Sequence, residues 1–142
     1  MSSLSLSQAN MIISSALAKG RGLDLKPLTV AVLDAGGNLI ALARDDQASI
    51  MRPQIAISKA AGALGLGVSS RKIAEMAAER PAFVGSLASL APAGLLPAAG
   101  GLIVLDGAGA AVGAVGVTGD TSDNDEICAL AGIAQAGLTT QA

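Results

Sequence analysis

Apolar residues at Ala9, Ile12, Ile13, Ala16 and Leu17 recur at i, i+3, i+4, i+7 and i+8, the spacing of one buried helix face. Ser5 and Gln8 precede them in capping-box order, so a first helix starts near Ser5 and ends near Gly20 or Gly22. After Pro27 the rhythm changes. Leu28 to Leu33 is a β-prone run, Asp34-Ala35-Gly36-Gly37-Asn38 is turn chemistry, and Leu39 to Arg44 is the returning strand. Pro53 suits the first turn of a second helix, whose stripe is Ile57, Ala60, Ala61 and Leu64 and whose end falls at Gly65 and Gly67. Ser69 or Ser70 caps a third helix, with Ile73, Met76, Ala77 and Arg80 on one face and Pro81 beyond its end. Residues 82–99 read as irregular, with helical turns around Gly85 to Leu90.

A second hairpin follows: Leu102 to Leu105, a turn at Asp106-Gly107-Ala108-Gly109, and Ala110 to Thr118. Its turn echoes the first, Val104 to Gly109 against Val32 to Gly37, which is one turn chemistry used twice and not a repeat protein. A last helix runs from about Ser122 to Gly137, with Ile127, Leu130, Ala131, Ala134 and Leu138 expected to face inward. Paired antiparallel strands with helices between them predict an α+β fold on an antiparallel sheet. The strands within 102–117 are apolar on both faces, so helices are expected on both sides. No linker divides the chain, and one domain over 1–142 is expected.

Composition narrows the chemistry. Hydrophobic residues make up 51% of the chain but Phe83 is its only aromatic, so the core must be Ala, Leu, Ile and Val. Eighteen glycines allow backbones to approach closely. There is no histidine, which excludes a Ser-His-Asp triad, a Cys-His dyad and histidine-ligated zinc or haem. Acid–base work therefore falls to Asp, Glu, Lys or the single thiol of Cys128. Nine basic residues are spread without a stripe, the net charge is −2, and no aromatic platform exists, so no nucleic-acid partner is expected. No apolar run reaches the ~18 residues of a membrane span, so no membrane partner is expected. The first residues lack signal-peptide features, and one cysteine excludes an intramolecular disulfide; both point to the cytoplasm.

Polar chemistry concentrates where Gly113, Gly116 and Gly119 recur every third residue and lead into Asp120, Thr121 and an acidic helix start. Close strand–helix packing and a tight exit turn explain these glycines. The sharper alternative is a ligand site of Gly116, Gly119 and Thr121, using the amides of Gly119 to Ser122 at a helix N-terminus. Asp123, Asp125 and Glu126 already complement that helix dipole and would repel phosphate, and the P-loop order is absent. The four acids Asp120, Asp123, Asp125 and Glu126 lack EF-hand spacing, and caps account for Ser122 and Asp125, so no metal site is assigned. A carboxylate buried beside apolar strands would have a raised pKa and could act as a base; Asp120 is the first candidate and Glu126 the second.

Arg52 and Lys59 are seven residues apart, on one helical face about 10 Å from each other. Lys59 is the only charge between 53 and 70. It is solvent-facing or paired, or with Arg52 it anchors a carboxylate-bearing ligand or meets Asp120. Arg71, Lys72, Glu75, Glu79 and Arg80 form a solvated face. Cys128 reads as a small buried hydrophobe. Phe83, Leu87, Leu90, Leu95 and Leu96 suit a subunit contact or pocket lid, so a homo-oligomer with ligand sites near its interfaces is expected.

The stretches VGAVGVTGDTSDNDEICALAGIAQAGL, VAVLDAGGNLIAL and RPQIAISKAAGALGLG resemble the GlcG/HbpS-like family, the haem-degrading or DUF336 domain. The resemblance implies a profilin-like fold, an antiparallel sheet of about five strands in α/β/α layers. Four strands follow from the pattern; the fifth is expected in 92–101 or as a short strand. The resemblance also implies a small-molecule ligand, haem or corrinoid as cofactor, and service as an accessory protein beside catabolic enzymes. Two positions depart from the family. Asn38 stands where relatives often place histidine, and Gly100-Gly101-Leu102-Ile103-Val104 lacks the proline of a Gly-Gly-x-Pro-Ile segment. No cofactor is therefore certain, and haem would need Met, Cys128 or a hydroxyl as its ligand. Three functions follow. The first is a binding or accessory domain with a pocket between the Gly116–Asp120 exit and the Arg52–Lys59 helix. The second is a cofactor-independent isomerase, hydratase or lyase acting on a small organic acid. The third is a haem or corrinoid carrier.

Overall fold

In the computed structural model, which describes residues 3–141, Ser5 closes a full capping box. Its Oγ accepts the Gln8 amide at 3.1 Å, and its own amide donates to Gln8 Oε1 at 3.0 Å. Helix α1 (Leu6–Gly22) then buries Ala9, Ile12, Ile13 and Ala16, the face its periodicity predicts. Strands β1 (Thr29–Asp34) and β2 (Leu39–Arg44) pair across a turn in which Asp34 Oδ1 accepts the amides of Gly36 and Asn38. Helix α2 (Arg52–Leu66) ends at Gly67, whose φ of 75° is left-handed; Gly65 lies inside the helix and does not end it.

Ser69 caps α3 (Ser70–Glu79). Pro81 does more than stop that helix, since it opens a short α4 (Pro81–Leu87). Strands β3 (Gly101–Leu105) and β4 (Ala111–Thr118) form the second hairpin. Thr121, one residue earlier than expected, caps α5 (Ser122–Gln135) by accepting the Asn124 amide. The fifth strand is β5 (Thr139–Thr140), after α5 and not within 92–101. Two residues are too few to leave a periodic signal; pairing with Val104 and Leu105 defines them.

The five strands form one antiparallel sheet in the order β2-β1-β4-β3-β5. Helix α2 crosses β4, β1 and β3 on one face, while α1 and α5 pack together on the other. The α1/α5 side holds the larger core, including Ile12, Val30, Val32, Val115, Val117 and Ile133. On the α2 side Leu33, Ala60 and Ala114 form a thinner one.

Two helix faces are rotated by about one residue from the expected stripes. In α2 the buried positions are Ala56, Lys59, Ala60, Gly62 and Ala63, so only Ala60 of the predicted stripe is fully covered. In α5 they are Asp125, Cys128, Ala129, Gly132 and Ile133, whereas Ile127 and Leu130 are each 42% exposed. In α2 the cause is steric. A Cβ on Gly116 would overlap the Ala56 carbonyl, and one on Gly101 would overlap the Lys59 carbonyl. Helix backbone thus rests almost directly on strand backbone, which leaves room for Ala and Gly at the contact but none for Leu or Ile.

Gly116→Ala should therefore lower stability by about 1–3 kcal/mol through overpacking. Gly65→Ala, inside the same helix with no atom within 4 Å of its added Cβ, should raise stability by up to about 1 kcal/mol. Urea denaturation of the two variants checks both signs.

Candidate functional site

Where β3 begins and β4 ends, Lys59 from α2 reaches past the sheet to Asp125 of α5. Its Nζ donates to Asp125 Oδ2 at 3.1 Å and to the Val117 carbonyl at 3.0 Å. The two side chains are 3% and 1% exposed. Gly100, at a φ of 127°, lies over the pair, and a Cβ there would come within 2.9 Å of Nζ. The other oxygen, Asp125 Oδ1, accepts the Asp120 amide at 3.0 Å. Burial pushes the Lys59 pKa down and the Asp125 pKa up, each against the attraction of its partner. The pair is a sealed interlayer tie with no face open to a substrate.

The sequence expectations meet this geometry unevenly. Lys59 is paired, but with Asp125 and not with Asp120. Asp120 does not occupy the buried position that would raise a carboxylate pKa. Its Oδ1 accepts the Lys26 amide, and its Oδ2 accepts the Thr121 amide and Asn124 Nδ2, both at 2.8 Å. These bonds hold its pKa down to about 2, which makes it a poor base and a loop fastener. Glu126 is engaged by Arg71, whose Nε lies 3.1 Å from both carboxylate oxygens while Nη2 reaches Asp123 at 2.6 Å. The supposed solvated face of α3 is in this way fastened to the start of α5.

The amides of Asp120 and Thr121 are taken by the Asp125 and Asp120 carboxylates, so they do not form an open anion cradle with Gly119. Gly119, at a φ of 141°, packs against Pro27, and Thr121 serves as cap. Gly116 is covered by Ala56. Between Gly116 and Lys59 the space expected for a pocket is thus occupied by Ala56 and by the Lys59–Asp125 pair. Arg52 is half-buried, and its Nη1 donates to Thr118 Oγ1 at 2.7 Å and its Nε to Ser49 Oγ at 3.2 Å. Cys128 is fully buried, and burial with Asp125 nearby pushes its thiol up to about 11, so it is an inert core group. Among the described residues, no cluster of three or more His, Cys, Asp or Glu is arranged to hold a metal, and no helix is long and apolar enough to cross a membrane.

An open cavity lies at the other end of α2. A cleft of about 480 Å³ runs between the β1–β2 turn, the second half of α2 and the segment from Leu87 to Leu95. Every residue lining it is Ala, Gly, Leu or Pro. The segment is held to α2 by Ser58 Oγ, which donates to the Ala93 carbonyl at 2.9 Å, and by Leu95 packed on Gly62. Leu87, Leu90 and Leu95 were legible as lid candidates. The opposing wall, Ala61, Leu64 and Gly65, was assigned to the core or the helix end and so was missed as a site.

An antiparallel sheet of five strands between helical layers defines a small α+β domain. Within it, residues 4–134 match the family model described as haem degrading protein HbpS-like, and the chain belongs to that family. Its fold is similar to that of PduOC in its haem complex, with a TM-score of 0.87, 21% identity and 99% of each chain covered. It is also similar to the DUF336 protein ORFY of Klebsiella pneumoniae, with a TM-score of 0.86 and 23% identity over 96% of this chain and 92% of that one. HbpS gives a TM-score of 0.81 and 28% identity over 94% of this chain and 90% of that one. No curated protein matches the sequence.

Removing one partner of the buried pair should be far costlier than replacing both. Lys59→Met alone is expected to lose about 3–5 kcal/mol, and Lys59→Met with Asp125→Leu to recover much of that in denaturant titrations. Asp120 sets an acid limit. Because its pKa falls on folding from 3.8 to about 2, its contribution is complete above the higher value and is lost as pH drops through the lower. Asp120→Asn should accordingly flatten the acid limb of the stability–pH curve below pH 4, read by circular dichroism.

Proposed function

We propose that this protein is a small-molecule-binding accessory protein, cytoplasmic and homo-oligomeric, which takes its ligand in the apolar cleft. The observation that carries this reading is the cleft's uniform lining of Ala, Gly, Leu and Pro in a volume within the range of ligand pockets. Such walls recognise by shape and by removing apolar surface from water, and their side chains offer no directional hydrogen bond. A planar, largely apolar molecule fits that chemistry. Leu90 and Phe83, 76% and 40% exposed, stand on the segment beside the cleft and α4, where a second subunit would cover them. The buried free thiol of Cys128 accords with a reducing compartment.

Haem is the cofactor that the family description and the PduOC complex suggest. The walls suit the face of a macrocycle, but no lining side chain carries a nitrogen, sulfur or oxygen that could ligate iron. Iron coordination by the cleft therefore does not fit, and no chemistry is assigned to the metal. Reading the chain as an isomerase, hydratase or lyase is less well supported, because Asp120 and Glu126, its candidate bases, are held by hydrogen bonds and by Arg71.

Metal-free protoporphyrin and haem should bind with affinities within about tenfold of each other, followed by their visible absorbance. Gly65→Trp, which projects from α2 into open space at the cleft wall, should weaken both while leaving the far-ultraviolet circular dichroism unchanged. Absence of saturable binding by either porphyrin, or full binding by Gly65→Trp, would sink the reading.

A further inference from the structure

At the end of α2 away from the cleft, three strands place Arg44, Thr29 and Thr118 in one row. Thr29 is the direct cross-strand partner of both, so all three side chains leave the sheet on the same face. That face is the one α2 covers, because Arg52, the first residue of α2, donates to Thr118 Oγ1 from above. Strand spacing of about 4.8 Å puts the Arg44 and Thr118 backbones roughly 10 Å apart, with Thr29 between them.

Three observations on this row have no internal explanation. Thr29 is fully buried, yet its Oγ1 has no hydrogen-bond partner. The guanidinium groups of Arg44 and Arg52 have hydroxyl or carbonyl partners, Ala48, Ser49 and Thr118, but no carboxylate within 4.0 Å among the described residues. Finally, α2 starts without a side-chain cap on Met51 and without an acidic residue in its first turn. Arg52 thus adds a positive charge to the positive end of a helix dipole, the reverse of the usual arrangement. One negatively charged group would answer all three.

We propose that Arg44, Arg52, Thr29 and Thr118 form a binding site for a small oxyanion, the carboxylate or phosphate group of a ligand. The two guanidinium groups supply charge-assisted hydrogen bonds, and the Thr29 hydroxyl donates to an oxygen lying over the row. The site is separate from the apolar cleft. Nine residue steps of α2, or roughly 14 Å of helix rise, separate Arg52 from the first cleft residue of that helix, Ala61.

Inorganic phosphate and succinate, titrated separately into the full-length protein at low ionic strength, provide the test. With at least one of them, the amide resonances of Thr29, Arg52 and Thr118 should shift saturably. Saturation by phosphate alone identifies a phosphate ligand, and by succinate alone a carboxylate. Arg44→Met, at an exposed position, and Arg52→Met should each weaken binding by about tenfold. Thr29→Val should weaken it several-fold without lowering the Tm, since the hydroxyl has no partner in the free protein. Gly65→Trp should bind the anion normally, so failure of the cleft reading and failure of this one are distinguishable. The proposal is overturned if neither anion gives saturable shifts, or if Arg44→Met binds as the unmodified protein does.

Discussion

Helix α2 rests on strand backbone and not on a cushion of side chains, and most of the molecule's organisation follows from that contact. Gly116 and Gly101 remove the Cβ atoms that would otherwise strike the carbonyls of Ala56 and Lys59. With the two layers this close, the small Ala56, Ala60 and Ala63 are fully buried at the contact, while Leu64 is only partly buried at its margin, against Leu33, Ala60 and Ala114. The displaced Leu64, with Ala61 and Gly65, becomes a wall of the cleft. One steric constraint thus sets the helix phase, thins one core and leaves an apolar cavity beside it.

The same phase turns Lys59 inward, where a charge is costly unless paired. Asp125 provides the pairing from the opposite helical layer, and Gly100 leaves room for it at the sheet end. Because burial works against the charged form of both groups, the pair is better understood as a register device than as a source of net stability. It ties α2 to α5 at one defined point, and the Asp125 and Asp120 hydrogen bonds then fix the β4–α5 junction. The Asp120 and Asp125 carboxylates are committed to holding that junction together.

Both proposed sites lie at the two ends of α2. At one end an uncharged cleft suits a flat apolar molecule; at the other, two arginines without carboxylate partners among the described residues flank an orphaned hydroxyl. Membership of the HbpS-like family accords with a ligand-binding role, yet the absence of histidine and the donor-free walls separate this chain from iron ligation at the cleft.

Much of the fold was legible in the order of residues. The capping box at Ser5 and Gln8, the Asp34–Asn38 turn, the Pro53 helix start and the two hairpins all carry their signals within a few positions. Local backbone preference determines such features. The candidate site was legible only in outline. Lys59 stood out as a lone charge in an apolar helix, but its partner lies 66 residues further on and was hidden among four acids, of which Asp120 drew attention for its place at the strand exit. The phase of α2 and α5, the two-residue β5 and the cleft were decided by tertiary contact alone. Each depends on how closely two distant backbones approach, and apolar periodicity records which residues can be buried without recording how much space their neighbours leave.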